Sequence, residues 1–200
     1  MISEEDQIMM DTLYWWGIPT LFRCKNDPDP KNCEIALVGV PHSTGNGTTE
    51  RDQHLGPRAV RNISAMLKRS HLDYGIDPWK MKKIHDLGDV PFPEANNNEK
   101  CIQRISDFYD QIEKAEKPVV SIGGDHSITG GIVQSLAKKN SKLTKGKKIS
   151  FLHFDAHTDC FEKLDHFLGA KKSAAHWASY LVKQGNVDPH TSTQIGIRGN

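Results

Sequence analysis

The sequence predicts an α/β fold in which helices cover both faces of a mainly parallel sheet. Short apolar runs bounded by turn residues alternate along the chain with segments of helical periodicity. Consecutive parallel strands need crossover connections, and helices provide them. A length of 200 residues suits one domain with a core of ordinary size.

The predicted elements follow in order after residue 33. Strands are predicted at residues 34–40, 83–90, 118–122, 148–154 and 192–197. Helices are predicted between them at residues 56–67, 100–114, 127–139 and 173–184. Pro57 near the start of the first helix fits a helical first turn, and the second helix repeats its apolar residues at helical spacing. In such a sheet, a ligand site lies beyond the carboxyl ends of the strands.

Residues 1–33 form an arm that precedes this pattern. Ser3 and Asp6 could cap a short helix that runs to Asp11. An aromatic and apolar cluster follows at residues 14–22. The cluster either packs on its own domain or makes a subunit contact, since aromatic residues favour interfaces.

Composition excludes several classes of function. The 26 basic and 25 acidic side chains nearly balance and form no dense basic stripe, which argues against a nucleic-acid partner. No apolar run reaches membrane-spanning length, and the acidic amino terminus is unlike a signal peptide. The four cysteines are scattered, as expected of reduced thiols in a cytoplasmic protein. Cys160 has anionic neighbours, which disfavour the thiolate, so it is not expected to be a nucleophile.

Acidic and imidazole side chains follow two of the predicted strands. His126 comes after the strand at 118–122, and Asp155, His157 and Asp159 come after the strand at 148–154. If strand geometry continues beyond residue 154, the three alternate residues project to one side. Two buried carboxylates so close together need a cation, and no Lys or Arg lies between residues 148 and 163. A divalent metal held by these four side chains meets that need.

The predicted ligand types indicate which metal is preferred. Carboxylates with isolated histidines and no thiolate suit Mn²⁺, and Ni²⁺ or Co²⁺ is possible. A structural zinc site would normally contain Cys or more His. His153 is expected to lie behind the ligands or in the core.

These motifs resemble the ureohydrolase family, which includes arginase, agmatinase, guanidinobutyrase and guanidine hydrolase. The resemblance rests on "GGDHS" at 123–127 and "DAHTD" at 155–159, with "GPRAVR", "DLGDV" and "QIGIRG" matching in order. It covers residues 35–200 and implies a three-layer α/β/α domain, of which residues 34–200 are the amino-terminal part. It also implies a small guanidino substrate, two manganese-type ions and assembly as a trimer or hexamer.

The resemblance also implies roles for individual residues. His126 would bind one metal and His157 the other, with Asp155 bridging them. Asp159 would bind the first metal and orient the hydroxide that attacks the substrate. His176 matches the family's flexible-loop histidine, a proton shuttle, although Trp177 follows it where the family usually has Gly.

One family segment is not found in the sequence. The family carries two further aspartate ligands in a later S-x-D-x-D-x-x-D-P segment and a substrate-binding Glu beyond it, and neither follows Asp159 here. We therefore expect the chain to be the amino-terminal part of a longer enzyme. Two alternatives are a non-catalytic subunit that stabilises a complete homologue and, less favoured, a zinc deacetylase of similar architecture.

The substrate expectation depends on two loops. Residues 43–57, "STGNGTTERDQHLGP", depart from the agmatinase-type pattern, and residues 160–172 do not resemble the loop with which arginases recognise an amino acid. With the bulky Trp177, these loops resemble the guanidine-hydrolase branch, whose members can use nickel. The expected reaction releases urea plus ammonia or an amine from free guanidine or a short alkylguanidine, with agmatine as second choice.

Overall fold

A computed structural model describes residues 3–11, 13–47, 51–164 and 169–199. Parts of the expected arm, of the 43–57 loop and of the segment before His176 lie outside the described residues. The strands are β1 (Lys25–Asn26), β2 (Ile35–Val40), β3 (Ile84–Asp89), β4 (Val119–Gly123), β5 (Leu152–Phe154) and β6 (Thr193–Ile195). The helices are α1 (Glu4–Asp11), α2 (Gly56–Ser64), α3 (Pro78–Met81), α4 (Asn98–Lys114), α5 (Ile128–Leu136) and α6 (Trp177–Lys183).

The strands form two parallel sheets. One has the order β1-β3-β2-β4, and the other pairs β5 with β6. Ile35 pairs with Ile84, and Val40 pairs with Gly123 at the carboxyl end of β2. The predicted fold class, a mainly parallel sheet within three layers of helix, sheet and helix, is confirmed.

The side chains of β2 show why helices lie on both faces of the larger sheet. Ala36, Val38 and Val40 are buried in a core that also contains Ile102 of α4. Leu37 faces the opposite way and packs in a second core, against which Val60 of α2 also packs. Alternate strand residues point to opposite faces, so β2 contributes to both cores.

Helices α4 and α5 pack closely on one face. A Cβ atom on Gly131 would lie 2.7 Å from the carbonyl oxygen of Ile102 and 2.8 Å from Cβ of Ile105. Glycine at this position therefore sets how near α5 lies to α4.

A buried ion pair links α2 to β3. Arg61 donates to both carboxylate oxygens of Asp86, at 2.9 and 3.0 Å, and also to Asp89 at 2.6 Å. Asp86 has no solvent exposure and accepts a further hydrogen bond from the backbone N–H of Leu21. The pair thereby fastens α2, β3 and the end of the arm together.

The aromatic cluster of the arm divides into two parts. Leu21 is fully buried in the second core, and Phe22 packs against that core. Tyr14, Trp15 and Trp16 are exposed. The arm therefore packs on its own domain at residues 21–22, and a subunit contact through residues 14–16 stays a prediction.

Strand β5 is shorter than predicted. The sequence predicted residues 148–154, but Phe151 donates its backbone N–H to the hydroxyl of Ser192, and the paired strand begins at Leu152. The outward face of this small sheet is apolar and exposed, with Leu152 61%, Phe154 70% and Ile195 44% exposed. Among the described residues, no helix has both the length and the apolar composition needed to cross a bilayer.

Candidate metal centre

A cluster of imidazoles and carboxylates lies where the loops after β4 and β5 meet. His126, His153, Asp155 and Asp159 each contribute one possible ligand atom, and these atoms all lie within 4.8 Å of one another. Nδ1 of His126 lies 2.8 Å from Oδ2 of Asp159 and 3.2 Å from Oδ2 of Asp155. Three of the four metal ligands predicted from the sequence are therefore brought together, from two separate loops.

The loop after β4 holds His126 through a tight turn and a buried carboxylate. Gly124 has a φ of +26°, and a Cβ atom there would lie 2.6 Å from the carbonyl oxygens of both Val40 and His42. Asp125 is buried and accepts hydrogen bonds from the backbone N–H groups of Ser127 and Gly45, both at 2.9 Å. These contacts bind the β4 loop to the loop after β2 and fix the position from which His126 projects.

Backbone geometry orients the two carboxylates. Oδ1 of Asp155 accepts a 2.9 Å hydrogen bond from the backbone N–H of His157, which leaves Oδ2 facing the cluster. Asp159 has a φ of +52°, in the left-handed region that few residues other than glycine adopt. Strained conformations of this kind often occur at functional sites.

Trp177 forms one wall of the cluster and contacts it directly. Its ring centroid lies 4.9 Å from that of His126 and 5.1 Å from that of His153, and its indole N–H donates to Oδ2 of Asp159 at 2.8 Å. The sequence predicts Trp177 as a bulky residue of the pocket and gives no sign of this contact. No local motif indicates the hydrogen bond, because it joins residues 18 positions apart.

The cluster shifts the pKa values of its own members. Burial, reinforced by neighbouring His126, lowers the pKa of His153 and favours the neutral ring. Burial alone would raise the pKa of Asp155, but the hydrogen bond from His157 and the nearby imidazoles of His126 and His153 outweigh it and lower the pKa. The shifts therefore favour the ionised form of Asp155 and the neutral form of His153.

His157 and His176 lie apart from this group. The side chain of His157 is 65% exposed, with Nδ1 3.4 Å from Oδ1 of Asp155. Strand β5 ends at Phe154, so the alternation that would have turned His157 inward does not continue. His176 is buried, with Nδ1 2.6 Å from the hydroxyl of Ser173 and Nε2 3.0 Å from the carbonyl oxygen of Leu164. Ligation by His157 and proton transfer by His176 stay predictions.

The chemistry of the cluster fits a divalent metal. The ion-pair partners of Asp155 and Asp159 found in the described part of the chain are all histidines, with no Lys or Arg among them. Two adjacent carboxylates whose ion-pair partners are all imidazoles form a donor set that a divalent cation would complete.

Two known proteins resemble this chain over most of its length. Guanidinopropionase of Pseudomonas aeruginosa is 32% identical over 186 residues, covering 92% of this chain and 54% of that protein. Human mitochondrial guanidino acid hydrolase is 35% identical over 187 residues, covering 92% of this chain and 49% of that protein. The chain thus spans about half the length of the curated relatives it matches.

Solved structures and a family model also match this chain. A hypothetical agmatinase from Burkholderia thailandensis superposes with a TM-score of 0.79 at 28% identity, covering 94% of this chain and 56% of that structure. Proclavaminate amidino hydrolase from Streptomyces clavuligerus superposes with a TM-score of 0.78 at 25% identity, covering 94% of this chain and 58% of that structure. The arginase family model matches residues 33–200, and the chain belongs to the arginase family.

Proposed function

We propose that the protein carrying this chain hydrolyses a guanidino compound in a metal-dependent reaction that releases urea plus ammonia or an amine. The observation that supports this most is the convergence of His126, Asp155 and Asp159 from two separate loops. The names of two relatives, guanidinopropionase and guanidino acid hydrolase, indicate the same class of substrate. A guanidinium carbon is a poor electrophile because its charge is delocalised, so water attacks it slowly without assistance.

The proposed cofactor is a pair of divalent ions, Mn²⁺ or alternatively Ni²⁺, held by His126, Asp155, His157 and Asp159. When bound, such ions supply Lewis-acid activation of water at neutral pH. The chain's own groups orient the site: Trp177 holds one oxygen of Asp159, and the backbone N–H of His157 holds one oxygen of Asp155. His176 is the proposed proton donor to the departing nitrogen. It would have to leave its contacts with Ser173 and Leu164 to act.

The proposed substrate is free guanidine or a short alkylguanidine. Trp177 adds bulk beside His126, which favours a small substrate. Agmatine and guanidinobutyrate are the second choice, and relatives named agmatinase and guanidinobutyrase support it. Arginine is expected to be a poor substrate.

The test is urea release from guanidine, agmatine, guanidinobutyrate and arginine by protein expressed from its natural gene and loaded with Mn²⁺ or Ni²⁺. Guanidine is expected to give the highest rate, and Asp155→Asn should abolish it. Asp107→Asn, at an exposed position on α4, is the matched control and should keep full activity. Turnover of arginine alone would overturn the proposed substrate.

A second candidate is a non-catalytic subunit that stabilises a complete homologue. It is favoured by the exposed Tyr14, Trp15 and Trp16, which offer an aromatic surface for a contact with another subunit. Metal content separates the candidates. Two ions per subunit support the hydrolase, one supports a deacetylase-like centre, and none supports the non-catalytic subunit.

We further propose a cytoplasmic homo-oligomer, a trimer or hexamer. The exposed Tyr14, Trp15 and Trp16 offer an aromatic surface for a subunit contact, and the four cysteines are free thiols. Light scattering of Trp15→Ser and Trp16→Ser variants should show a smaller particle than the wild type. An unchanged particle mass would exclude these residues from the contact.

A further inference from the structure

The side-chain amide of Gln194 lies between a backbone carbonyl and a ring nitrogen of His153. Its nitrogen lies 2.7 Å from the carbonyl oxygen of Thr158 and 3.0 Å from Nδ1 of His153. Gln194 is on β6, and the β5–β6 register places it directly opposite His153. Strand pairing therefore sets the distance between the two side chains.

The carbonyl of Thr158 decides which way the amide points. A backbone carbonyl oxygen only accepts hydrogen bonds, so the Gln194 atom beside it must be the NH₂ nitrogen. Turning the amide over would place two oxygens 2.7 Å apart with no hydrogen between them. The same NH₂ group has a second hydrogen, which it donates to Nδ1 of His153.

We propose that Gln194 holds His153 in the tautomer protonated at Nε2, which makes His153 a positioning residue for Asp155 and not a metal ligand. A neutral imidazole whose Nδ1 accepts a hydrogen bond carries its proton on Nε2. A protonated nitrogen has no lone pair to offer a metal. This inference rests on the proposed metal centre for its consequence, but the tautomer itself does not depend on any reaction.

The environment of Nε2 agrees with a donor that faces a carboxylate. It lies 3.4 Å from Oδ2 of Asp155, the oxygen that also faces His126. His153 is 7% exposed, and the ring of Trp177 packs edge-on against it, so water has little access. A small approach of Asp155 would complete the hydrogen bond. His153 would then steady the carboxylate that is proposed to bridge the two ions.

The direct test is ¹⁵N NMR of metal-free protein, expressed from its natural gene with ¹⁵N-labelled histidine. The His153 signals are identified by their loss in His153→Gln. A protonated Nε2 and an unprotonated Nδ1 are expected. Protonation at Nδ1 would overturn the proposal, and where His153→Gln fails to fold, sequential NMR assignment of the wild-type protein identifies the His153 signals instead.

A reversal of the hydrogen bond tests the part that Gln194 plays. Glutamate at this position only accepts, so Gln194→Glu should move the His153 proton to Nδ1. Gln111→Glu, at an exposed position on α4, is the matched control and should leave the tautomer unchanged. A Gln194→Glu protein in which Nδ1 of His153 stays unprotonated would show that Gln194 does not fix the tautomer.

Metal titration tests the consequence for the centre. With Mn²⁺ alone as the probe, His153→Gln should keep the wild-type number of ions per subunit and weaken binding about tenfold, the usual size of an effect on a residue behind the ligands. Loss of one ion per subunit would make His153 a ligand and overturn the inference. A wild-type protein that binds no metal would defeat the proposed function, while the tautomer measurement would still stand alone.

Discussion

The indole N–H of Trp177 and the side chain of Asp159 form a buried hydrogen bond of 2.8 Å, at the same carboxylate oxygen that lies 2.8 Å from Nδ1 of His126. Trp177 is 2% exposed and Asp159 is 8% exposed. Because Trp177 is the first residue of α6, the hydrogen bond ties that helix to the loop after β5. The orientation of a candidate metal ligand is therefore set by a residue that would not itself touch the metal.

Replacing Trp177 by Phe should weaken metal binding. The variant keeps an aromatic ring beside His126 but loses the donor to Asp159, so the carboxylate is less well oriented. We expect the affinity for Mn²⁺ to fall about tenfold or more, as measured by competition with a chelating dye. Trp79→Phe is the control, since Trp79 donates its indole N–H to Sγ of Cys24 outside the cluster. Equal affinities in the two variants would contradict a role for the Trp177 hydrogen bond.

Replacing Arg61 by Met should destabilise the fold. The change leaves the carboxylate of Asp86 buried without its cation, and removal of one partner of a buried pair costs about 3–5 kcal/mol. Urea denaturation should show this loss as a lower midpoint. Arg104→Met removes an exposed pair with Glu94 and should cost less than about 1 kcal/mol. Similar losses of unfolding free energy in both variants would mean that the buried Arg61 pair stabilises the fold no more than the exposed Arg104 pair does.

The difference in stability between wild type and Arg61→Met should depend on pH. Burial would raise the pKa of Asp86, but hydrogen bonds from Arg61 and from the N–H groups of Leu21 and Gly88 outweigh it and lower the pKa below 3.8. A lowered pKa stabilises the folded state above pH 3.8, and that stabilisation is lost as the pH falls through the folded-state value. The gap in unfolding free energy between the two proteins should therefore be widest near neutral pH and narrow below it. A gap that is constant down to pH 3 would contradict this, because Asp86 would then not be the titrating group.

The two histidines outside the cluster should have separable effects. If His157 is a ligand, His157→Asn should reduce the number of ions bound per subunit. If His176 is a proton donor, His176→Asn should slow urea release and leave the metal content unchanged. Metal analysis and urea assays on the same preparations distinguish these results. A His157→Asn protein with full metal content would remove His157 from the ligand set.

Local patterns in the sequence were sufficient to predict most of the strands and helices of the fold. The apolar alternation of β2 and the helical spacing of α4 gave those elements nearly correct bounds, because burial of one or both faces determines each pattern. Strand β5 was predicted too long, since hydrogen bonds to a distant loop decide where it begins. The arm was only partly predictable, because burial of Leu21 depends on a core made by β2 and β3.

The candidate site was predictable where its residues share a loop and a chemical type. Asp155 and Asp159 lie close together in the sequence. Because ligand sites of parallel sheets lie beyond the carboxyl ends of the strands, His126 is predicted to lie near them, as it does in the structure. The contributions of Trp177 and Gln194 were not predictable, because each depends on a contact across the fold. The buried position of His153 agrees with what its place in the strand led us to expect, whereas the exposure of His157 depends on where β5 ends, which the pattern did not reveal.

The apolar outward face of the β5–β6 sheet has a consequence for how the polypeptide behaves in solution. The apolar side chains of Leu152, Phe154 and Ile195 are exposed. They lie on strands of a two-stranded sheet, whose outer main-chain groups can form hydrogen bonds with another chain. Such a surface favours self-association of the protein at high concentration. Sulfate and phosphate salts should increase this self-association, because they strengthen hydrophobic interactions. Dilute samples in chloride buffers should therefore remain dispersed longest.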